Sequence, residues 1–211
     1  AINLLGLTVG ITTCTLIYVY IQYELSYDRF HLWANRIYRV DNTYLSVGLC
    51  SYPTVSSGLP EGAKEGIPTV VEATRISRFG GGFNSAVIVR IDDDFYREED
   101  VFTASPSFFK IFSFPLLAGD DNTALAEPFS VVLTEATAQK YFGRTDIVGE
   151  SFQFANDQEN EYRVAGVVAN PPNNSHLTFT ILIADKTFAS LNPDADLAAT
   201  WNNDGWYTYL L

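Results

Sequence analysis

The sequence predicts an α+β domain carried behind a single membrane-spanning helix. Three observations lead there. The 211-residue chain holds 13 Lys plus Arg and 25 Asp plus Glu, and none of them falls within residues 1–23. Beyond that run, short helical and short strand-like segments follow one another without the regular β-α-β alternation of a parallel sheet. Hydrophobic residues make up 47% of the chain and aromatics 14%, enough for a packed core and too many for a disordered tail.

The N-terminal run, AINLLGLTVGITTCTLIYVYIQY, is broken only by Asn3, Gln22 and scattered Thr. At about 1.5 Å per residue, a helix of this length spans roughly 33 Å, close to the ~30 Å hydrocarbon core of a bilayer. Tyr18, Tyr20 and Tyr23 lie toward one end, where interfacial aromatics collect, and Glu24 marks the exit. A buried core helix would carry a polar face, whereas this one is apolar nearly all round. A secretory signal would have a shorter apolar core and a small-x-small cleavage site, and neither is present. Gly6 and Gly10 form a small-xxx-small pair, a spacing that lets a second helix approach closely. The chain contains no Met, even at position 1, as expected of a piece of a longer protein.

Residues 24–36 are predicted to extend this helix, with apolar Leu25, Phe30 and Trp33 alternating among polar Glu24, Asp28 and Arg29. Ile37–Tyr44 reads as a strand and 45–58, rich in Gly, Ser and Pro, as a loop. Leu59–Gly66 reads as a short helix closed by Gly66 and Pro68, and Val70–Ile76 as a strand or a helix-to-strand junction. Ala86–Ile91 and Val101–Ala104 read as strands around an acidic, solvated connection, 92–100. Ser105-Pro106 opens a short helix through Phe112. Val131–Leu133 reads as a buried strand. Thr134 caps a helix that ends at Phe142 with Gly143 beyond it. Phe152–Phe154 and Tyr162–Ala169 read as paired strands, 170–176 as a turn, and Leu177–Ile183 as a half-exposed strand.

The charge pattern and motifs exclude several functions. The formal net charge is −12, which repels phosphate backbones and argues against nucleic acid as a partner. Two Cys cannot make a disulfide framework or a Cys-based zinc site. The acidic run from Asp92 lacks the Gly and Glu positions of an EF-hand, with Arg97 and Thr103 in their places. Gly80-Gly81-Gly82 lacks the Gly-Lys-Ser/Thr of a phosphate loop. No Gly-x-Ser-x-Gly elbow or His-Glu-x-x-His occurs, and His31 and His176 read as structural. No catalytic, cofactor-binding or metal-binding residue is assigned, so no enzyme activity is expected.

Asn3-Leu-Leu-Gly-Leu-Thr-Val-Gly10, Glu24-Leu-Ser-Tyr-Asp-Arg-Phe-His31 and Ala34-Asn-Arg-Ile-Tyr-Arg-Val40 together resemble the first membrane helix and its outer flank in MacB/FtsX-like ABC transporter permeases. The similarity continues through Ser107-Phe-Phe-Lys-Ile-Phe112, Leu117-Ala-Gly119, Val131-Val-Leu-Thr-Glu135, Tyr141-Phe-Gly143, Tyr162-Arg-Val-Ala-Gly-Val167, Asn170-Pro-Pro-Asn-Asn-Ser-His176 and Trp201. It is greatest to the large permeases common among Bacteroidetes.

The resemblance implies a two-lobed periplasmic core domain over 37–211, with a porter-like lobe at about 37–78 and 165–211 and an inserted lobe at about 79–164. It implies a bacterial inner-membrane protein whose residues after about 24 lie in the periplasm. It further implies a permease homodimer, in contact with membrane lipid and with a periplasmic adaptor or envelope protein. ATP and Mg would be handled by a cytoplasmic ABC ATPase, with none bound here. Drugs, peptides or lipoproteins are the substrate classes so implied. Within this reading Gly6 and Gly10 are the helix-packing residues. Glu24, Leu25, Ser26, Tyr27, Asp28, Arg29, Phe30 and His31 couple the membrane helix to the domain. The alternative is a single-pass anchor bearing an extracytoplasmic ligand-binding or sensor domain.

Overall fold

The computed structural model describes residues 2–44, 50–80, 86–193, 195–202 and 204–211. The expected glycine loop thus lies outside the described residues except for Gly80, as do residues 45–49 of the loop expected at 45–58.

Helix α1, Ile2–Glu24, carries the uncharged run, and its side chains from Asn3 onward are exposed. Thr8, Thr13 and Thr15 turn their hydroxyls back to donate to the carbonyls of Leu4, Val9 and Ile11 at 2.8, 2.9 and 2.9 Å. These hydroxyls therefore need no water, which suits a hydrocarbon surround.

The predicted helical extension over 24–36 does not form. Past Leu25, whose N–H still reaches the Ile21 carbonyl, the chain runs as successive turns. Asp28 sits at φ 57°, in the left-handed region that a right-handed helix cannot contain. Its N–H donates to the Asn174 carbonyl at 2.9 Å instead of to the carbonyl four residues back. A tertiary contact has overridden local propensity.

The outer domain is built from β1 (Tyr38–Val40), β2 (Asn42–Tyr44), β3 (Cys50–Tyr52), α2 (Leu59–Gly66), β4 (Ala73–Arg78), β5 (Val87–Ile91), β6 (Asp94–Glu98), β7 (Val101–Ala104), α3 (Phe108–Ile111), β8 (Leu116–Gly119), β9 (Ser130–Thr134), α4 (Glu135–Phe142), β10 (Ser151–Phe154), β11 (Asp157–Val168), β12 (Ile181–Ala184), α5 (Lys186–Leu191) and β13 (Tyr207–Leu210). Strands β2 and β3 form a separate antiparallel pair. The other strands make one mixed sheet in the order β1-β13-β4-β7-β12-β9-β11-β10-β5-β6, with β8 also paired to β11. Only the β9–β11 and β7–β12 pairs are parallel among the described strands, so the α+β expectation stands.

The central strands alternate side chains between two hydrophobic cores, one on each face. Val131, Leu133, Ile181 and Ile183 join Tyr141, Phe152, Phe154 and Tyr162 on one. Val132, Leu182 and Ala184 join Phe108, Ile111, Phe112 and Phe114 on the other. Helix α4 supplies Ala138 and Tyr141 to the first, and α3 supplies Phe108, Phe109 and Ile111 to the second. Thr134 caps α4 as its position suggested, accepting from Thr137 N–H at 3.3 Å, and Gly143 closes it in the left-handed region at φ 67°.

Four other expectations need correcting. Strand β12 is not half-exposed: every residue of it is buried, because neighbours pair with it on both edges and the cores cover both faces. The acidic connection is itself strand β6, paired with β5, and its Glu98 is buried against Lys140 Nζ at 2.6 Å and Tyr141 Oη at 2.9 Å. The strand expected over Ile37–Tyr44 splits at Asp41, β1 joining the large sheet and β2 the hairpin. The lobe limit at about 164/165 falls inside β11, and the limit at about 78/79, although it coincides with the end of β4, does not separate two sheets. Strand β7, from the expected insert, lies between β4 and β12 from the expected flanking lobe.

Candidate functional site

The residues following α1 are not a free tether. Tyr23 Oη donates to the Asn173 carbonyl at 3.1 Å, and Tyr27 packs edge-on against Tyr23 at 5.5 Å. Asn174 Nδ2 donates to the Ser26 carbonyl at 3.1 Å and lies 3.0 Å from Ser26 Oγ. The left-handed turn at Asp28 aims both its backbone and its side chain at the same loop. Its Oδ1 accepts from His176 N–H at 2.9 Å, and its Oδ2 lies 2.6 Å from His176 Nδ1. The Tyr27 and His176 rings meet at 4.7 Å. The loop offers this array because Pro171 and Pro172 keep it out of regular structure, leaving its polar groups to find partners elsewhere.

The next residues sink into the second core. Phe30 packs on Phe114 at 5.5 Å, and His31 is buried among Phe30, Phe112 and Phe114. His31 Nδ1 accepts from Ser113 N–H at 3.1 Å, which places the ring proton on Nε2, where it finds no partner among the described residues. Leu32 N–H donates to Ser113 Oγ at 3.0 Å. Beside the joint opens a cavity of about 310 Å³ lined by Asp28, His31, Arg39, Phe112, His176 and Tyr209 among others.

Burial lowers the His31 pKa, and the nearby Asp28 charge only partly offsets this. The folded protein thus holds His31 neutral. As pH falls below about 6.5, the unfolded chain takes up a proton that the folded chain resists. Stability supplied by neutral His31 is present above that pH and is lost as pH drops toward the lowered value. The melting temperature of the full chain is expected to fall between about pH 7.5 and about pH 5.5, with a shallower slope in His31→Asn. Equal slopes would mean that His31 does not carry the effect.

The structure thus brings Ser26, Tyr27, Asp28, Phe30 and His31 together with partners from the rest of the domain. Glu24 ends α1, while the Leu25 and Arg29 side chains are exposed, and the Arg29 guanidinium has no hydrogen-bond or ion-pair partner among the described residues. Around Gly6 and Gly10 the space a Cβ would fill is open, with nothing within 4 Å among the described residues. Sequence reasoning missed Ser113, Asn173, Asn174 and His176 as partners. The only signal for the last three was the dense Asn/Pro/Ser turn, Ser113 carried none, and 148 residues separate Ser26 from Asn174. Among the described residues no three His, Cys, Asp or Glu side chains stand together to hold a metal ion.

Fold and site define a class: an outer sheet domain clamped to the end of a helix long and apolar enough to cross a membrane. The family model of the MacB-like periplasmic core domain matches residues 1–208, and the chain belongs to that family. Among solved structures, a domain of a protein assigned as a permease from Porphyromonas gingivalis is 25% identical with a TM-score of 0.69, covering 86% of this chain and 75% of that one. The periplasmic region of MacB from Actinobacillus actinomycetemcomitans is 14% identical with a TM-score of 0.51, covering 82% and 66%. The extracellular domain of the noncanonic ABC-type transporter YknZ from Gram-positive bacteria is 11% identical with a TM-score of 0.53, covering 83% and 81%. The last two likenesses concern the fold alone. No curated protein matches the chain.

Proposed function

We propose that this chain is the first membrane helix and periplasmic domain of an ABC transporter permease, and that it relays motion rather than performing chemistry. ATP and Mg are bound by a cytoplasmic ATPase partner. Helix α1 crosses the inner membrane, with residues after about 24 in the periplasm. Its Gly6/Gly10 face packs on another helix, and the permease works as a homodimer with a periplasmic adaptor or envelope partner. The moved substrate is of the drug, peptide or lipoprotein class. Family membership and the permease-assigned domain from Porphyromonas gingivalis support this assignment.

The observation that carries the relay is the double anchorage of residues 23–31. Tyr23, Ser26 and Asp28 bond to residues 173–176, while Phe30 and His31 are packed against Phe112–Phe114. A joint fixed on two sides transmits a tilt or shift of α1, whereas a loose one absorbs it. The test inserts Gly-Gly after Tyr27 in the full-length permease, displacing Asp28 from its partners. Spin-label distances between the outer domains are then measured with and without ATP, alongside ATPase turnover. Expected is retained turnover with the ATP-dependent distance change lost. An unchanged distance response would make the joint a passive tether.

A further inference from the structure

Among the described residues, five of the nine arginines form ion pairs with carboxylates: Arg39, Arg75, Arg78, Arg97 and Arg144. Arg29 and Arg36, immediately outside the membrane helix, form none among the described residues, although the chain carries a net charge of −12. Asp28, the acid beside Arg29, is already engaged by His176. The Arg36 guanidinium instead lies 5.4 Å from the Trp33 ring centroid, and Trp33 is itself 42% exposed. Both arginines line one open cavity of about 520 Å³, together with Leu32, Trp33 and Asn35. Leu32 is 82% exposed and Leu25 53%, the one next to this cavity and the other at the end of α1.

We propose that Arg29, Trp33 and Arg36 form a site for the headgroup phosphate of an anionic phospholipid of the outer-facing leaflet, with Leu25 and Leu32 against its glycerol and upper acyl region. This rests on the reading that α1 spans the membrane. The chemistry is specific in kind. Two unpaired guanidiniums offer planar donor forks to phosphate oxygens. The indole suits the boundary between headgroup and hydrocarbon. Exposed leucines cost little when the medium around them is lipid. The acidic remainder of the domain is repelled by an anionic membrane, so the same two cations help set how the domain stands on the bilayer.

The test uses the full-length permease purified from mixed bilayers of phosphatidylcholine and phosphatidylglycerol, with native mass spectrometry counting the retained lipid. Each cation near an anionic surface contributes about a fivefold factor, so Arg29→Gln/Arg36→Gln should lower phosphatidylglycerol retention about 25-fold relative to phosphatidylcholine. Arg90→Gln/Arg163→Gln, on β5 and β11, should leave it unchanged. Quenching of Trp33 fluorescence by brominated phosphatidylglycerol, lost in Trp33→Phe, should accompany retention. If inorganic phosphate displaces the retained lipid at concentrations that leave phosphatidylcholine in place, the site takes free anions and the lipid assignment is overturned. Equal retention by the double variant overturns it as well. Resistance of the full chain to carbonate extraction separates these outcomes from failure of the membrane reading, in which the chain would be extracted and both proposals would fall.

Discussion

Arg75→Met is expected to destabilise the outer domain by about 3–5 kcal/mol. Arg75 lies on β4 and is 7% exposed. Its Nε donates to Asp185 Oδ2 at 2.8 Å, and its Nη1 donates to the Ser57 carbonyl at 2.9 Å and to both Glu61 carboxylate oxygens at 2.8 Å. One guanidinium thus ties α2, β4 and the start of α5 together, with Trp206 at 5.8 Å below it. Asp185 is 1% exposed. Met fills much of the volume but leaves a buried carboxylate unpaired, which is the costly case.

A pH signature separates this cause from lost packing. Burial already raises the Asp185 pKa, with Arg75 pulling the other way. Without Arg75 the carboxyl takes a proton more readily in the folded state than in the unfolded one. A carboxyl with a raised folded pKa gains stability as pH falls, because the folded state binds the proton first. The deficit of Arg75→Met measured by urea unfolding should therefore narrow from about pH 7 to about pH 5, and adding Asp185→Asn should remove that pH dependence. A deficit below about 1 kcal/mol at neutral pH would mean that the network is worth little more than a surface pair.

None of this network was legible in the sequence, because Arg75 and Asp185 are 110 residues apart and neither belongs to a motif. What could be read was local. The uncharged run gave α1, the Thr134 and Gly143 signals bounded α4, and Leu59–Gly66 emerged as α2 at its expected limits. Pattern failed where a partner decided the outcome. Asp92–Asp100 looks solvated by composition, yet Lys140 and Tyr141 hold Glu98 inside. The Thr positions near β12 suggested an exposed face, but the strand itself, Ile181–Ala184, is apolar throughout and sits mid-sheet. At the joint, absence of Gly and Pro argued for a continuous helix, and Asp28 instead turned left-handed to meet Asn174 and His176. The candidate residues were thus found by position and family likeness, while their mode of rigidity, docking rather than helix, came only from tertiary contacts.

Gly119→Ala is expected to cost about 2–5 kcal/mol, the sum of a left-handed backbone penalty and an overpacking penalty. Gly119 ends β8 at φ 94°, a conformation L side chains rarely adopt. It stands opposite Gly166 of β11, so the two backbones meet with no side chain between them. A Cβ at 119 would fall 2.4 Å from the Ala165 carbonyl oxygen and 2.8 Å from the Gly166 Cα, both of them main chain. Neither can rotate away, so β8 must shift or detach. Gly149 supplies the control: it has a similar φ of 102°, yet a Cβ there would approach nothing nearer than an Arg163 side-chain nitrogen at 4.0 Å. Gly149→Ala should therefore lose only the backbone part, about 1–2 kcal/mol. The difference in urea midpoint between the two variants reads the clash alone, and equal losses would show that β8 gives way without cost. A displaced β8 has a consequence at the joint, because it directly follows Phe112–Pro115, the segment that holds His31 and Leu32 through Ser113. Gly119→Ala should thus also flatten the pH dependence assigned to His31, an effect Gly149→Ala should not have.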